Sequence, residues 1–181
     1  MTNTFKKTAI VAAKSAGVIL KKNIGNAHHI EFKGVIDIVT EMDRKAEDLI
    51  IKIIKDNFPK HGILTEESLE QKSDSEYRWI IDPLDGTTNY SHGFPVFCVS
   101  IALEKEGEGI ILGAVYNPML NELFTAEKNK GAYLNNKKIK VSDIKELTKS
   151  LLATGFPYDI RTSPDNNIAH FANFAVRAQA I

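Results

Sequence analysis

Only one cysteine, Cys98, occurs in 181 residues, so no disulfide can form within the chain and the composition suits a reducing compartment. It lies in the apolar run 96–103, where a buried structural thiol is the expected role rather than a nucleophile. Net charge is also absent: 23 basic residues balance 23 acidic ones, with lysines spread throughout. Bulk electrostatics therefore select neither nucleic acid nor an anionic membrane surface, and an anionic substrate must be held locally. No long hydrophobic run is present. The nearest, 8–18, is interrupted by small polar residues and Lys14, and Lys21 and Lys22 follow it, which excludes a signal peptide or a spanning helix and leaves a cytoplasmic protein as the expectation. His28, His29 and His92 show no ligand spacing, so a zinc-type centre is not expected. With 43% apolar and 25% charged residues and only 6 prolines, the remainder reads as an ordinary globular chain able to bury a core.

The apolar pattern begins helical. Phe5, Ala9, Ala12, Ala13, Ala16 and Leu20 form one stripe within residues 4–22. Residues 30–33 alternate, and Gly34 permits a turn before the run 35–39. Thr40 followed by Asp43 resembles a capping box, and Ala46, Leu49, Ile50, Ile53, Ile54 and Phe58 then recur at helical spacing until Pro59. From His61 on, short apolar runs at 63–64, 79–81, 96–103, 110–116, 120–124 and 132–134 alternate with turn signals at 105–109, 117–118 and 135–136, as an antiparallel meander requires. Helices followed by a meander predict an α+β layered architecture.

Chemistry concentrates where one of those runs ends, in Asp82-Pro83-Leu84-Asp85-Gly86-Thr87-Thr88. Pro83 restricts the backbone between the acids and Gly86 allows a sharp turn, so both carboxylates and the Leu84 carbonyl can be aimed at one point. A short helix starting at the hydroxyl residues would add backbone N–H groups and an anion site beside the acids. Glu66 and Glu67 end another run, and strand alternation sends them to opposite faces, so one of them joins Asp82 and Asp85. Acids gathered at the ends of buried runs repel one another or bind a cation, and an all-oxygen set selects magnesium or manganese ahead of zinc.

Glu66-Glu67, the stretch from Asp82 through Thr87, Thr88, Asn89 and Tyr90, and His92-Gly93-Phe94-Pro95 resemble the signature of the inositol monophosphatase family. Lys33, Asp37, Thr40 and Asp43 match its amino-terminal pattern, and the resemblance extends from the first helix to about the last residue. It implies a layered α/β sandwich of the sugar phosphatase type, with amino-terminal helices packed on an antiparallel sheet. By resemblance, Glu66, Asp82 and the Leu84 carbonyl hold one Mg2+, and Asp82 with Asp85 holds a second. Two or three ions are implied in all, with Mn2+ as a substitute. Glu66, Leu84, Asp85, Gly86 and Thr87 line the substrate, and the Gly86 and Thr87 backbone takes the phosphate. Thr87 paired with Asp43, together with Glu66, orients and deprotonates the attacking water, and Lys33 sits in a mobile loop near the site.

The implied activity is hydrolysis of inositol 1-phosphate or a related sugar phosphate. Alternatives are a fructose-1,6-bisphosphatase, a nucleotide 3′-phosphatase, or a truncated metal-binding module without turnover. A homodimer, lithium sensitivity, and no nucleic-acid or membrane partner are also implied. Family members carry a further Trp-Asp motif that completes the second ion's site, whereas Trp79, the only tryptophan, precedes Ile80. The expectation is therefore a metal-binding domain over residues 1–146 and the beginning of a carboxyl-terminal α/β domain over 147–181, with weak activity or none in this chain alone.

Overall fold

The structure, a computed structural model, describes residues 2–26, 30–32, 38–68 and 70–181. It divides into two compact units, Met1–Ile139 and Lys140–Ile181.

In the first unit the predicted helices are α1 (Thr2–Asn23) and α2 (Glu41–Asn57). α1 buries its whole predicted stripe, Phe5, Ala9, Ala12, Ala13, Ala16 and Leu20, whereas α2 buries Ala46, Ile50 and Ile54 of its stripe together with Met42 and leaves Leu49, Ile53 and Phe58 half-buried. A short hairpin, β1 (Ile30–Phe32) with β2 (Ile38–Thr40), leads into α2. The helices pack on each other and on a seven-stranded sheet ordered β3-β4-β5-β6-β7-β8-β9. Its strands are β3 (Gly62–Thr65), β4 (Tyr77–Asp85), β5 (Cys98–Lys105), β6 (Gly109–Asn117), β7 (Glu122–Glu127), β8 (Gly131–Leu134) and β9 (Lys137–Ile139). A five-residue helix α3 (Thr87–Ser91) follows β4.

From β4 to β9 every pairing is antiparallel, with turns where the sequence signals them. The first pair departs from a pure meander: β3 runs parallel to β4. Parallel neighbours require a crossover rather than a tight turn, and the segment 66–76 supplies it, delivering Glu66 at the same sheet end as Asp82. Gly17 lets α1 approach β6, since a Cβ there would lie 2.6 Å from the Tyr116 ring.

An aromatic cluster closes the other end of the helix layer. His61 stacks with Phe58, Tyr77 and Trp79, the Phe58 and His61 centroids being 4.8 Å apart, and Phe5 packs against these rings tilted or edge-on. The fully buried Trp79 donates its Nε1–H to His61 Nδ1 at 3.1 Å, which requires a neutral imidazole there. Burial, followed by the Lys55 charge, holds the His61 pKa below the ordinary histidine range. The folded chain thus binds this proton less readily than the unfolded chain, so its stability contribution is intact above roughly pH 6.5 and declines as the pH falls below it. Denaturant titrations followed by Trp79 emission should show that decline between pH 7 and 5, and His61→Gln, which keeps an acceptor but does not titrate, should flatten it.

The second unit contains a 3-10 turn (Leu147–Lys149), helix α4 (Ile168–Ala175) and a bridge between Leu151 and Ala180. Phe156 meets Phe171 edge to face at 5.4 Å. Among its residues none is fully buried, and Val141, Leu151 and Val176 are 88%, 78% and 82% exposed. Among the described residues no helix is long and apolar enough to cross a membrane.

Candidate active site

Asp82 and Asp85 lie at the end of β4, and Glu66 follows β3 at the same end of the sheet. Asp82 pairs with Ser100 and Asp85 with Cys98, so β4 carries an extra residue between them and bulges away from β5. Pro83, with no N–H to donate to the ladder, sits in the bulge. The Leu84 N–H turns back to Asp82 Oδ1 at 3.1 Å. Gly86 then adopts φ +96°, and a Cβ on it would stand 3.0 Å from the Val96 carbonyl oxygen. Strain and collision both oppose any side chain there, so Gly86→Ala is expected to destabilise the chain by about 1–3 kcal/mol, measured as a lower thermal midpoint of Trp79 emission.

The turn hands the chain to α3, whose first residue ties three elements together. Thr87 Oγ1 lies 2.9 Å from both Asp43 Oδ1 and the Leu84 carbonyl oxygen, and its single proton serves one of them at a time. Asp43, 1% exposed, is the third residue of α2 and completes the predicted capping box. Its Oδ2 accepts from the Thr40 N–H at 2.8 Å and the Thr40 hydroxyl at 2.6 Å. The Thr40 hydroxyl in turn accepts from the Met42 N–H.

Burial pushes the Asp82 pKa up to about 7, aided by the negative charges of Glu66 and Asp85 and by a hydrogen bond with the Glu66 carboxyl, against the Leu84 N–H, which lowers it. Glu66 and Asp85 are exposed, Asp82 is half-buried and Leu84 is buried. Among the described residues no three His, Cys, Asp or Glu side chains surround one point as metal ligands. Glu66, Asp82 and Asp85 are among those residues, so the three carboxylates do not form one such group. Hard oxygen donors crowding negative charge onto a half-buried acid fit Mg2+ or Mn2+ by their chemistry.

Cys98 donates its thiol to Asp85 Oδ2 at 3.5 Å, and its pKa is pushed up to about 12 by burial and by Asp85 and Asp82. It is half-buried and protonated at neutral pH, in line with a structural role. A cleft of about 220 Å³ opens beside Asp85, Gly86, Asn89 and Cys98. A larger one, about 420 Å³, lies among Phe5, Tyr77, Lys105 and Lys130, where lysines and glutamates pair, so size alone does not mark the site.

Of the sequence-predicted residues, Asp43, Leu84 and Thr87 are joined by hydrogen bonds, and Glu66 and Asp85 both act electrostatically on Asp82. Lys33 and Asp37 lie outside the described residues. One polar contact that the sequence reading passed over is Glu47 with Ser68; its signal was an acid four residues after Asp43, on the buried face of α2.

The family model described as "Inositol monophosphatase family" matches residues 1–180. The chain belongs to that family. Inositol monophosphatase 3 of Solanum lycopersicum is 47% identical over 154 residues, which are 83% of this chain and 57% of the relative. The "Fructose-1,6-bisphosphatase/inositol-1-monophosphatase" of Aquifex aeolicus is 44% identical over 155 residues, covering 84% of this chain and 58% of its own length. Among solved structures, the extragenic suppressor protein suhB of Bartonella henselae superposes with a TM-score of 0.91 at 39% identity, over 98% of this chain and 69% of that one. The chain thus spans somewhat less than three fifths of the length of these curated family members, and it carries the inositol monophosphatase fold over the part it shares with them.

Proposed function

We propose that this chain belongs to a magnesium-dependent phosphomonoesterase that hydrolyses inositol 1-phosphate or a related sugar phosphate with water as the nucleophile. The observation that supports it best is the half-buried Asp82, held between Glu66 and Asp85 next to the Gly86 turn and the Thr87–Asp43 pair. Divalent ions, when bound, would supply charge that acidifies a water and offsets the negative charge growing on the leaving oxygen.

The chain's own residues do the rest. Glu66, Asp82, Asp85 and the Leu84 carbonyl would hold the ions, and the first N–H groups after Gly86 would receive the phosphate oxygens. Thr87 would orient the attacking water, a reading supported by its hydrogen bond to Asp43, whose other oxygen accepts two donors from Thr40. Asp43 is thereby kept as the acceptor in one orientation.

Phosphate release from inositol 1-phosphate, titrated with Mg2+, tests this reading. Activity that follows Mg2+ and vanishes with a chelator is expected; binding of Mg2+ with no hydrolysis of any phosphomonoester, even in a chain extended to the length of its relatives, would favour a non-catalytic metal-binding module. The chain alone should turn over far more slowly than a full-length relative, in keeping with the uncovered apolar residues of Lys140–Ile181. Fructose 1,6-bisphosphate belongs in the same assay, since the Aquifex relative's name includes that activity. A cytoplasmic homodimer accords with this function but rests on the family resemblance.

A further inference from the structure

Glu47 is 3% exposed and lies one turn after Asp43 on the face of α2 that otherwise buries Ala46, Ile50 and Ile54. One carboxylate oxygen accepts the Ser68 hydroxyl. The other, Oε2, is buried and has no hydrogen-bond partner among the described residues. An acid in a core stripe with one oxygen unmet works against folding, so burial alone does not account for its presence.

What it holds is informative. Ser68 is two residues beyond Glu66, and its N–H donates to Thr65 Oγ1 at 3.1 Å. The Thr65 hydroxyl is 3.3 Å from the Ser68 carbonyl oxygen, closing a tight loop. On the other side, the Glu66 N–H donates to the Ile81 carbonyl at 3.2 Å, extending the β3–β4 ladder by one bond. Glu66 is therefore fixed to β4, the strand of Asp82, through its own N–H, and the segment that carries it is tied to α2, the helix of Asp43, through Ser68 and Glu47.

We propose that Glu47 is a positioning residue: by gripping Ser68 it clamps the Glu66 segment onto α2 and so sets where the Glu66 carboxylate stands relative to Asp82 and the Asp43–Thr87 pair. Its partner is the Ser68 hydroxyl, so a change at either residue removes that bond. Glutamine in its place keeps an acceptor oxygen for Ser68; alanine does not. The part of the inference that concerns a cation rests on the phosphatase reading of the site, whereas the clamp itself does not.

The test compares Ser68→Ala, Glu47→Ala and Glu47→Gln with the unaltered 181-residue chain in two measurements. In amide hydrogen exchange on the metal-free chain, Ser68→Ala and Glu47→Ala should speed exchange at residues 66–68 about tenfold or more, with residues 79–81 unchanged, and Glu47→Gln should behave as the parent. Ser68→Ala leaves the carboxylate in place without its donor, and unchanged exchange at 79–81 shows that the variant still folds. In Mn2+ titration, the two alanine variants should bind roughly 10–100-fold more weakly and glutamine should restore binding. Unchanged exchange at 66–68 in Ser68→Ala overturns the clamp. Faster exchange with unaltered Mn2+ affinity overturns the positioning role and leaves a purely structural tie. If the parent chain binds no Mn2+, the phosphatase reading fails, and the exchange measurement alone decides the clamp.

Discussion

Asp82→Asn is expected to abolish divalent-cation binding and at the same time raise the melting temperature of the metal-free chain. The carboxylate is pushed up to about 7 by burial, Glu66 and Asp85, so above that pH the folded state holds a charge it resists. An acid whose folded pKa is raised loses stability as the pH rises from about 4 toward 7. Asparagine removes the charge, keeps an oxygen for the Leu84 N–H and offers Glu66 a donor. The increase should be visible at pH 8 and should shrink near pH 4, when wild type and variant are melted side by side without metal. In a catalytically competent full-length relative, the equivalent change should cost roughly 10²–10³-fold in rate or more. A variant that melts lower at pH 8 while still binding Mn2+ would contradict both halves.

Asp43 should behave in the opposite sense, because here chemistry and stability use the same atoms. Its carboxylate accepts from the Thr40 N–H, the Thr40 hydroxyl and Thr87, all within the buried junction of α2 and α3. Asp43→Ala takes away the reciprocal half of the capping box and leaves buried donors unmet, an expected loss of about 2–4 kcal/mol in denaturant unfolding. Asp43→Asn keeps the shape and an acceptor for one side only. It should retain most of the stability yet lower turnover by about 10²–10⁴-fold in an active relative, since the amide no longer draws the Thr87 proton. Equal stability losses for alanine and asparagine would show that Asp43 serves the fold alone.

Much of this was legible in the sequence, and for identifiable reasons. The helices were readable because Phe5 to Leu20 and Ala46 to Ile54 keep strict periodicity, and the α2 start because Thr40 and Asp43 are both short polar residues at cap spacing. Turn residues punctuate the strands from β5 to β8. The parallel β3 was not legible, since the two-residue apolar run 63–64 gives no direction and only pairing with β4 decides it. For the site, Pro83 and Gly86 read as a restricted backbone and a sharp turn but not as a bulge, and the Thr87 pairing with Asp43, 44 residues apart in sequence, came from the family resemblance because no local pattern reports it. Roles assigned to Glu66 and Asp85 came from resemblance to a family, because paired acids on a surface carry little information alone. Glu47 was missed because helical periodicity tracks apolar residues and passes over an acid on the same face.

The edges of the sheet have a consequence for handling the protein. At one margin β9 is only three residues long and offers Lys137 and Lys138, while at the other Ile63 of β3 already exchanges backbone hydrogen bonds with Gln71. Neither margin presents a long bare strand on which a second molecule could template cross-strand growth. Aggregates of this chain, where they form, should accordingly be amorphous and dye-negative rather than fibrillar, seeded by the greasy side chains beyond Ile139 instead of by the sheet.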